Sequence, residues 1–254
     1  MSSDPPPDLP LNPDSSPRPD SSSPARDRSR SRAELDTPEL ELGWRERELE
    51  QELPELRLVA VQVRVARPGS LTGRSPAGIE HRLHELSNRF RGARAVAVRR
   101  EPVPAAYRVF FRHIGLDPDV VRTPIEAMAL ERMLRGGFLP GGMLEDVLLI
   151  ALMDTGVPVW ALDSETVNGP LGIRSSGEGE PLGRSAGATP LPAGRLVVAD
   201  ASAALAVLFG ELAAGHEAKA STSRLTLFAI QVAGVPSLYV EEALWMSRAA
   251  LEQP

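Results

Sequence analysis

The sequence predicts an α+β domain with mixed and antiparallel sheets, partly barrel-like and flanked by helices, behind a disordered amino-terminal tail. Three observations carry this expectation. Strand-like stretches come singly, without the strand–helix alternation of a doubly wound sheet. Helix-period stretches cluster in the first half of the ordered chain. Ten of the 24 prolines fall by Pro54, among serines and charges. Such a segment has too little apolar surface to offset its ordering entropy. A tail over residues 1–52 and a single domain over 53–254 are therefore expected, with no internal repeat.

Within the tail, "RDRSRSR" (26–32) is flanked by acids and reads as solvated chain. "ELELGWRERELEQEL" (39–53) suggests a short acidic helix whose Trp44 is free to dock. The ordered part opens with "LRLVAVQVRVA" (56–66), where valines alternate with Ala60, Gln62 and Arg64, the period of a half-buried strand. Ser75 and Pro76 start a helix with Ile79, Leu83, Leu86 and Phe90 on one face. "ARAVAVR" (93–99) reads as a strand, and "PAAYRVFFRHIG" (104–115) as a helix stopped by Gly115.

The clearest local signal is "TPIE" (123–126). Thr123 is an N-cap, Pro124 fits the first helical position and Glu126 completes a capping box, giving a helix to Arg135. "MLEDVLLIALMDTG" (143–156) predicts a mostly buried helix ending at Gly156. "TGVPVWALDSETVNGPLGIR" (155–174) then gives strand, polar turn and strand, with Trp160 set to face a pocket. After a Gly/Ser/Pro-rich loop (175–194), "RLVVAD" (195–200) and "SRLTLFAIQV" (223–232) supply further strands. Ser237 is expected to cap a last helix whose Leu244, Met246 and Leu251 help close the core.

Cysteine is absent, which excludes disulfides, thiolate metal sites and Cys nucleophiles. No basic start leads into an apolar run, and no stretch nears the roughly 18 apolar residues of a membrane helix, so a soluble cytoplasmic protein is expected. The net charge of −6 is unevenly spread: residues 57–135 hold 15 Arg against 7 acidic residues, while the flanking segments are acidic. Arginine forks match phosphate, so this middle segment suits contact with nucleic acid.

Local motifs do not commit the chain to catalysis. His81 and His84 share a helix face, but no third ligand accompanies them and the bland reading is a solvated face. "DTG" (154–156) is more simply a helix end than a protease triplet. No phosphate-loop, dinucleotide-fold or nucleophile-elbow motif occurs. Glu178 and Glu180 form a carboxylate pair in a Gly-rich turn, where acids are usually solvated. No metal and no cofactor are expected.

From Tyr107 onward, "YRVFFRHIGLDPDVVRTPIEAMALERMLRGGFLP", "TGVPVWALDSETVNGPLGIR", a "GE" turn, "LPAGRLVVAD" and "TSRLTLFAIQVAGVP" follow one pattern. It resembles the B-three/B-four domain of the phenylalanyl-tRNA synthetase beta subunit, in a stand-alone bacterial form, over roughly residues 56–251. The resemblance implies a tRNA-facing domain whose relatives hydrolyse wrongly attached tyrosine. It also implies a pocket with a Thr-Asn pair, a His and a Glu. These positions fall here on Leu148 and Leu149, on Trp160 and on Phe228, all apolar. Asp163 and Asn168 complete the expected pocket lining. Discrimination by a polar pocket needs hydrogen-bonding groups that these four residues cannot supply.

The leading expectation is thus a binding module for tRNA or another RNA. Arg89, Arg91, Arg94, Arg99, Arg100, Arg108 and Arg112 would face phosphate. The enzyme alternative is trans-editing of mischarged tRNA with a rebuilt site. It would draw on His216, Glu178 or Glu211, with Glu180 and Asp200 nearby; the bland reading of His216 is a loop histidine. A third reading is a small-molecule sensor, for an amino acid for example, or an interaction scaffold.

Overall fold

The computed structural model describes residues 39–67 and 69–253, so the expectation of disorder over residues 1–38 lies outside the described residues. The folded unit nonetheless starts before residue 53. The segment read as a single acidic helix is two short strands, β1 (Glu41–Leu42) and β2 (Trp44–Arg45), followed by a helix of six residues, α1 (Arg47–Glu52). Backbone pairing drives this, and side-chain composition does not reveal it. Gly43 lies between the two strands, where a Cβ would come within 2.7 Å of the Leu171 carbonyl oxygen.

The alternating valines form β3 (Arg57–Arg64), and α2 (Ala77–Arg89) follows with Leu83 and Leu86 buried. The strand expected over 93–99 is instead a short helix, α3 (Ala93–Ala97), running into a 3₁₀ turn at Val98–Arg100. Only Ala95 and Val98 are buried there, three residues apart, which is one helical turn and not the period of a strand. Next come α4 (Pro102–His113) and α5 (Pro124–Arg135), the latter opening on the complete Thr123–Glu126 capping box. The apolar helix is α6 (Met143–Thr155).

The second half is mainly sheet: β4 (Val159–Asp163), β5 (Gly172–Ser175), β6 (Leu196–Ala199), β7 (Ala204–Val207) and β8 (Arg224–Gln231). The last helix, α7 (Ser237–Glu252), is preceded by Pro236 at the cap position, so Ser237 is its first residue and not its cap. Two four-stranded sheets result, in the orders β1-β3-β8-β4 and β2-β5-β6-β7. Both are open, so the described residues form no closed barrel. Every pairing is antiparallel except that of β2 with β5.

The central pair, β3 and β8, runs in register from Arg57↔Gln231 to Arg64↔Arg224. Leu58, Leu225, Leu227 and Ile230 on these strands are fully buried. Tyr107 of α4 ties the helix layer to this sheet by donating its hydroxyl to the Ile230 carbonyl at 2.8 Å. A smaller core between α2, α5 and α6 contains Leu83, Leu86, Phe90 and Ile125.

Candidate functional site

Gly156 sets the geometry of the site. It ends α6 in the left-handed conformation at φ 78°, and a Cβ there would meet the Val103 side chain at 3.0 Å. Only glycine satisfies both demands without strain. The chain then turns back through Val157 and Pro158 into β4, which places Trp160 across from the preceding helix. Leu148, Leu149 and Leu152 share one face of α6 and, with Trp160, wall a cavity of about 450 Å³. Ala127 and Met128 of α5 supply another wall and Phe209 part of the lining.

Trp160 is half-buried, and its indole stacks on Phe228 at 5.6 Å with 12° between the planes. Phe209 meets the same indole edge-on at 5.7 Å and also packs against Tyr107, Phe110 and Phe111 at 5.3–5.8 Å. Phe209 has φ 59°, the only positive φ among the described non-glycine residues. Such a conformation costs on the order of 1 kcal/mol for a bulky side chain, which four aromatic neighbours offset.

Four residues expected in the pocket therefore come together: Leu148, Leu149 and Trp160 on the cavity wall, and Phe228 beneath the indole. Asp163 and Asn168 do not join them. Asp163 is buried and accepts from the Thr222 hydroxyl at 2.6 Å and from the Glu165 amide at 3.1 Å, closing the turn after β4. Asn168 is exposed, and its amide donates to Asp200 at 2.7 Å. The cavity lining carries two charged residues, Arg122 and Glu145, both exposed to solvent. Neither residue stands out in the sequence, and Phe209 comes from a turn far away in the chain. Only the fold brings Arg122 and Phe209 to the site, whereas Glu145 lies one turn before Leu148 and Leu149 on α6.

His216, the favoured base candidate, lies in a separate polar network. Its ring is buried, with Nδ1 3.0 Å from the Thr166 hydroxyl and Nε2 3.3 Å from Arg184. Burial, and then the Arg184 guanidinium, hold its pKa below the ordinary value. Arg184 is ion-paired with Asp200. Burial alone would raise the Asp200 pKa, but the amides of Asn168 and Ser202, together with Arg184, outweigh it and leave it lowered. This is a satisfied structural cluster joining the 164–168 turn to the 200–217 loops. Glu180 is bound by Arg174, with one contact of 2.7 Å, so it forms no carboxylate pair with the exposed Glu178. Glu211 is exposed in the loop after β7.

The seven arginines divide. Arg108 is buried and bonded to Glu126 at 2.6 Å and to Asp119 at 2.7 Å, which ties α4 to the start of α5. Arg89 is ion-paired with Asp154, the first residue of "DTG", which also binds Arg82 at 2.8 Å. Arg94 lies over the Phe90 ring at 5.2 Å and Arg91 bonds the Asn88 side chain. Arg91, Arg94, Arg99, Arg100 and Arg112 all remain exposed. His81 is exposed and sits 3.4 Å from Glu85. Among the described residues no group of three potential metal ligands occurs, and no helix is long and apolar enough to cross a membrane.

No family model matches the chain. Parts of it are similar to curated proteins. It is 37% identical over 101 residues to the phenylalanine–tRNA ligase beta subunit of Xanthomonas oryzae pv. oryzae (strain MAFF 311018), covering 39% of this chain and 12% of that protein. It is 31% identical over 115 residues to the same subunit of Xylella fastidiosa (strain Temecula1), covering 45% of this chain and 14% of that protein. A third match, from Xanthomonas axonopodis pv. citri, is 38% identical over 68 residues, or 27% of this chain and 8% of that protein. The matched region thus spans about an eighth of the relatives' length. The chain carries a domain related to part of the phenylalanine–tRNA ligase beta subunit.

Proposed function

We propose that the chain is a B-three/B-four-type domain, in stand-alone form, that contacts tRNA or another RNA and lacks the editing hydrolysis of its relatives. The observation that carries this reading is the convergence of Leu148, Leu149, Trp160 and Phe228. The positions at which the family resemblance calls for polar pocket groups lie together, and each is apolar. An editing pocket orients water and reads a hydroxyl through hydrogen bonds, and these side chains offer none apart from the Trp160 N–H, a donor only.

RNA contact is supported by the exposed Arg91, Arg94, Arg99, Arg100 and Arg112, five cations within 22 residues of chain. Arg99 and Arg100 end a 3₁₀ turn and take no acidic partner within 4 Å among the described residues. The test is titration of the full chain onto unmodified tRNA across a salt series. A linear fall of log affinity with log salt is expected, shallower by about two in slope for the Arg99→Ala, Arg100→Ala double variant. Absence of binding at low salt would overturn the RNA reading.

A further inference from the structure

The chain has three asparagines, and one of them is placed to react with its own backbone. Asn12 precedes Pro13, whose nitrogen carries no hydrogen and cannot close a ring. Asn88 lies within α2 with its Oδ1 bonded by Arg91, and the amide that follows it belongs to the helix ladder. Asn168 precedes Gly169 in the turn between β4 and β5, and both residues are exposed. Gly169 stands at φ 80°, and a Cβ there would meet, beyond its chain neighbours, only the Ala201 Cβ at 3.8 Å. Its nitrogen is therefore as unhindered as a backbone nitrogen can be. Among the described residues the Gly169 N–H has no acceptor and the Asn168 Oδ1 no donor. Asn168 Nδ2 reaches the Ser202 hydroxyl only at 3.5 Å, the outer limit of a hydrogen bond.

We propose that Asn168 is a site of spontaneous deamidation, and that the reaction loosens the entry to β5. The Gly169 nitrogen attacks the Asn168 Cγ, the Cγ–Nδ2 bond breaks, and ammonia leaves with the proton that Gly169 gives up. A five-membered cyclic imide remains. Water, the only co-reactant, then adds to one of the two imide carbonyls and opens the ring to aspartate or isoaspartate. In isoaspartate the main chain runs through the side-chain carbons and is longer by one methylene. Residue 168 is a tie point for its surroundings: its N–H donates to Asp200 at 2.7 Å and its carbonyl accepts from the Ala201 N–H at 3.1 Å. Isoaspartate turns that carbonyl into a free carboxylate beside Asp200, which Arg184 already pairs. The added methylene displaces Pro170, whose carbonyl accepts from Trp44 Nε1 at 3.0 Å, just before β5 meets β2 at Gly172. None of these residues lines the apolar cavity or belongs to the exposed arginines, so the inference stands apart from the RNA reading.

The test is a timed incubation of the full chain in warm, mildly alkaline buffer, followed by peptide mapping with mass spectrometry. Enzymatic methylation specific for isoaspartate scores that product. First-order conversion at Asn168 is expected, with isoaspartate in excess over aspartate and with Asn12 and Asn88 unchanged. The same chain in urea gives the rate without structure, and the folded rate should lie within about tenfold of it, as for a turn that opens at little cost. The converted chain should melt a few degrees lower and exchange faster at the Trp44 and Arg45 amides. Asn168→Gln, whose ring closure is far slower, should keep its mass and melting temperature through the same incubation. No conversion at residue 168, or a folded rate more than about tenfold below the rate in urea, would overturn the proposal. So would conversion that leaves melting and exchange unaltered, or an equal fall in melting temperature in the Asn168→Gln chain.

Discussion

Trp160 and Phe228 lie directly opposite each other on paired antiparallel strands, their rings 5.6 Å apart and nearly parallel. On the function proposed above, this cross-strand pair occupies the positions that an editing pocket would give to a hydrogen-bonding imidazole and a carboxylate. Stacking aromatic rings on adjacent strands stabilises the sheet and removes those polar groups at once. The two effects cannot be separated by one substitution at either position.

Trp160→His should therefore lower stability without creating an editing site. The imidazole would lose much of the contact with Phe228 and Phe209 and would still face Leu148 and Leu149. A loss of about 2–3 kcal/mol in chemical denaturation is expected, with no gain in release of tyrosine from mischarged tRNA. A gain of release would show that one imidazole suffices.

Arg108→Ala should be among the most damaging single substitutions to stability. It strands Glu126, whose side chain is 10% exposed, at the first turn of α5. Removing one partner of a buried pair costs about 3 kcal/mol or more. At temperatures where the variant stays folded, its RNA affinity should match that of the parent. A selective loss of RNA affinity would return Arg108 to the phosphate-facing set.

Stability should fall as the solution is acidified through neutrality to mildly acid pH, and His216 should account for part of that fall. Its folded-state pKa lies below the ordinary 6.5, from burial and then from Arg184. The unfolded chain takes up the proton first, so stability is undiminished well above 6.5 and declines below it. Asp200 acts in a lower window: its lowered pKa gives stability above 3.8 that is lost as pH falls further. Melting temperatures of His216→Gln should vary less between pH 7.5 and 5.5 than those of the parent. An unchanged pH profile would contradict this.

Gly172→Ala should loosen the amino-terminal strands. A Cβ at Gly172 would lie 2.1 Å from the Trp44 ring, and Trp44 Nε1 donates to the Pro170 carbonyl at 3.0 Å. The clash should cost about 2 kcal/mol and raise hydrogen exchange at Trp44 and Arg45, whose strand pairs with Gly172 and Ile173. Unaltered protection of these amides would mean that the ring finds another seat.

Legibility in the sequence followed the range of the interactions. The Thr123–Glu126 box, the Gly156 stop and the valine alternation of β3 are local and could be read directly. The stretch 93–99 could not, because an alternating Ala/Val run suits a strand or a short helix until packing decides. The pairing of β1 and β2 was hidden because it joins residues 41–45 to residues 59–60 and 172–173. Arg108 looked like one arginine among seven, and its acceptors Asp119 and Glu126 are set by a loop between two helices. Phe209 and Arg122 reach the cavity only through the fold.

The most direct measurement follows amino-acid release from tyrosine-mischarged phenylalanine tRNA, with the correctly charged tRNA as control and the chain confirmed folded. Loss at the uncatalysed rate from both substrates is the predicted result, as befits a site walled by Leu148, Leu149 and Trp160 over Phe228. Selective release of tyrosine would contradict the account and show that a working editing site survives in this domain.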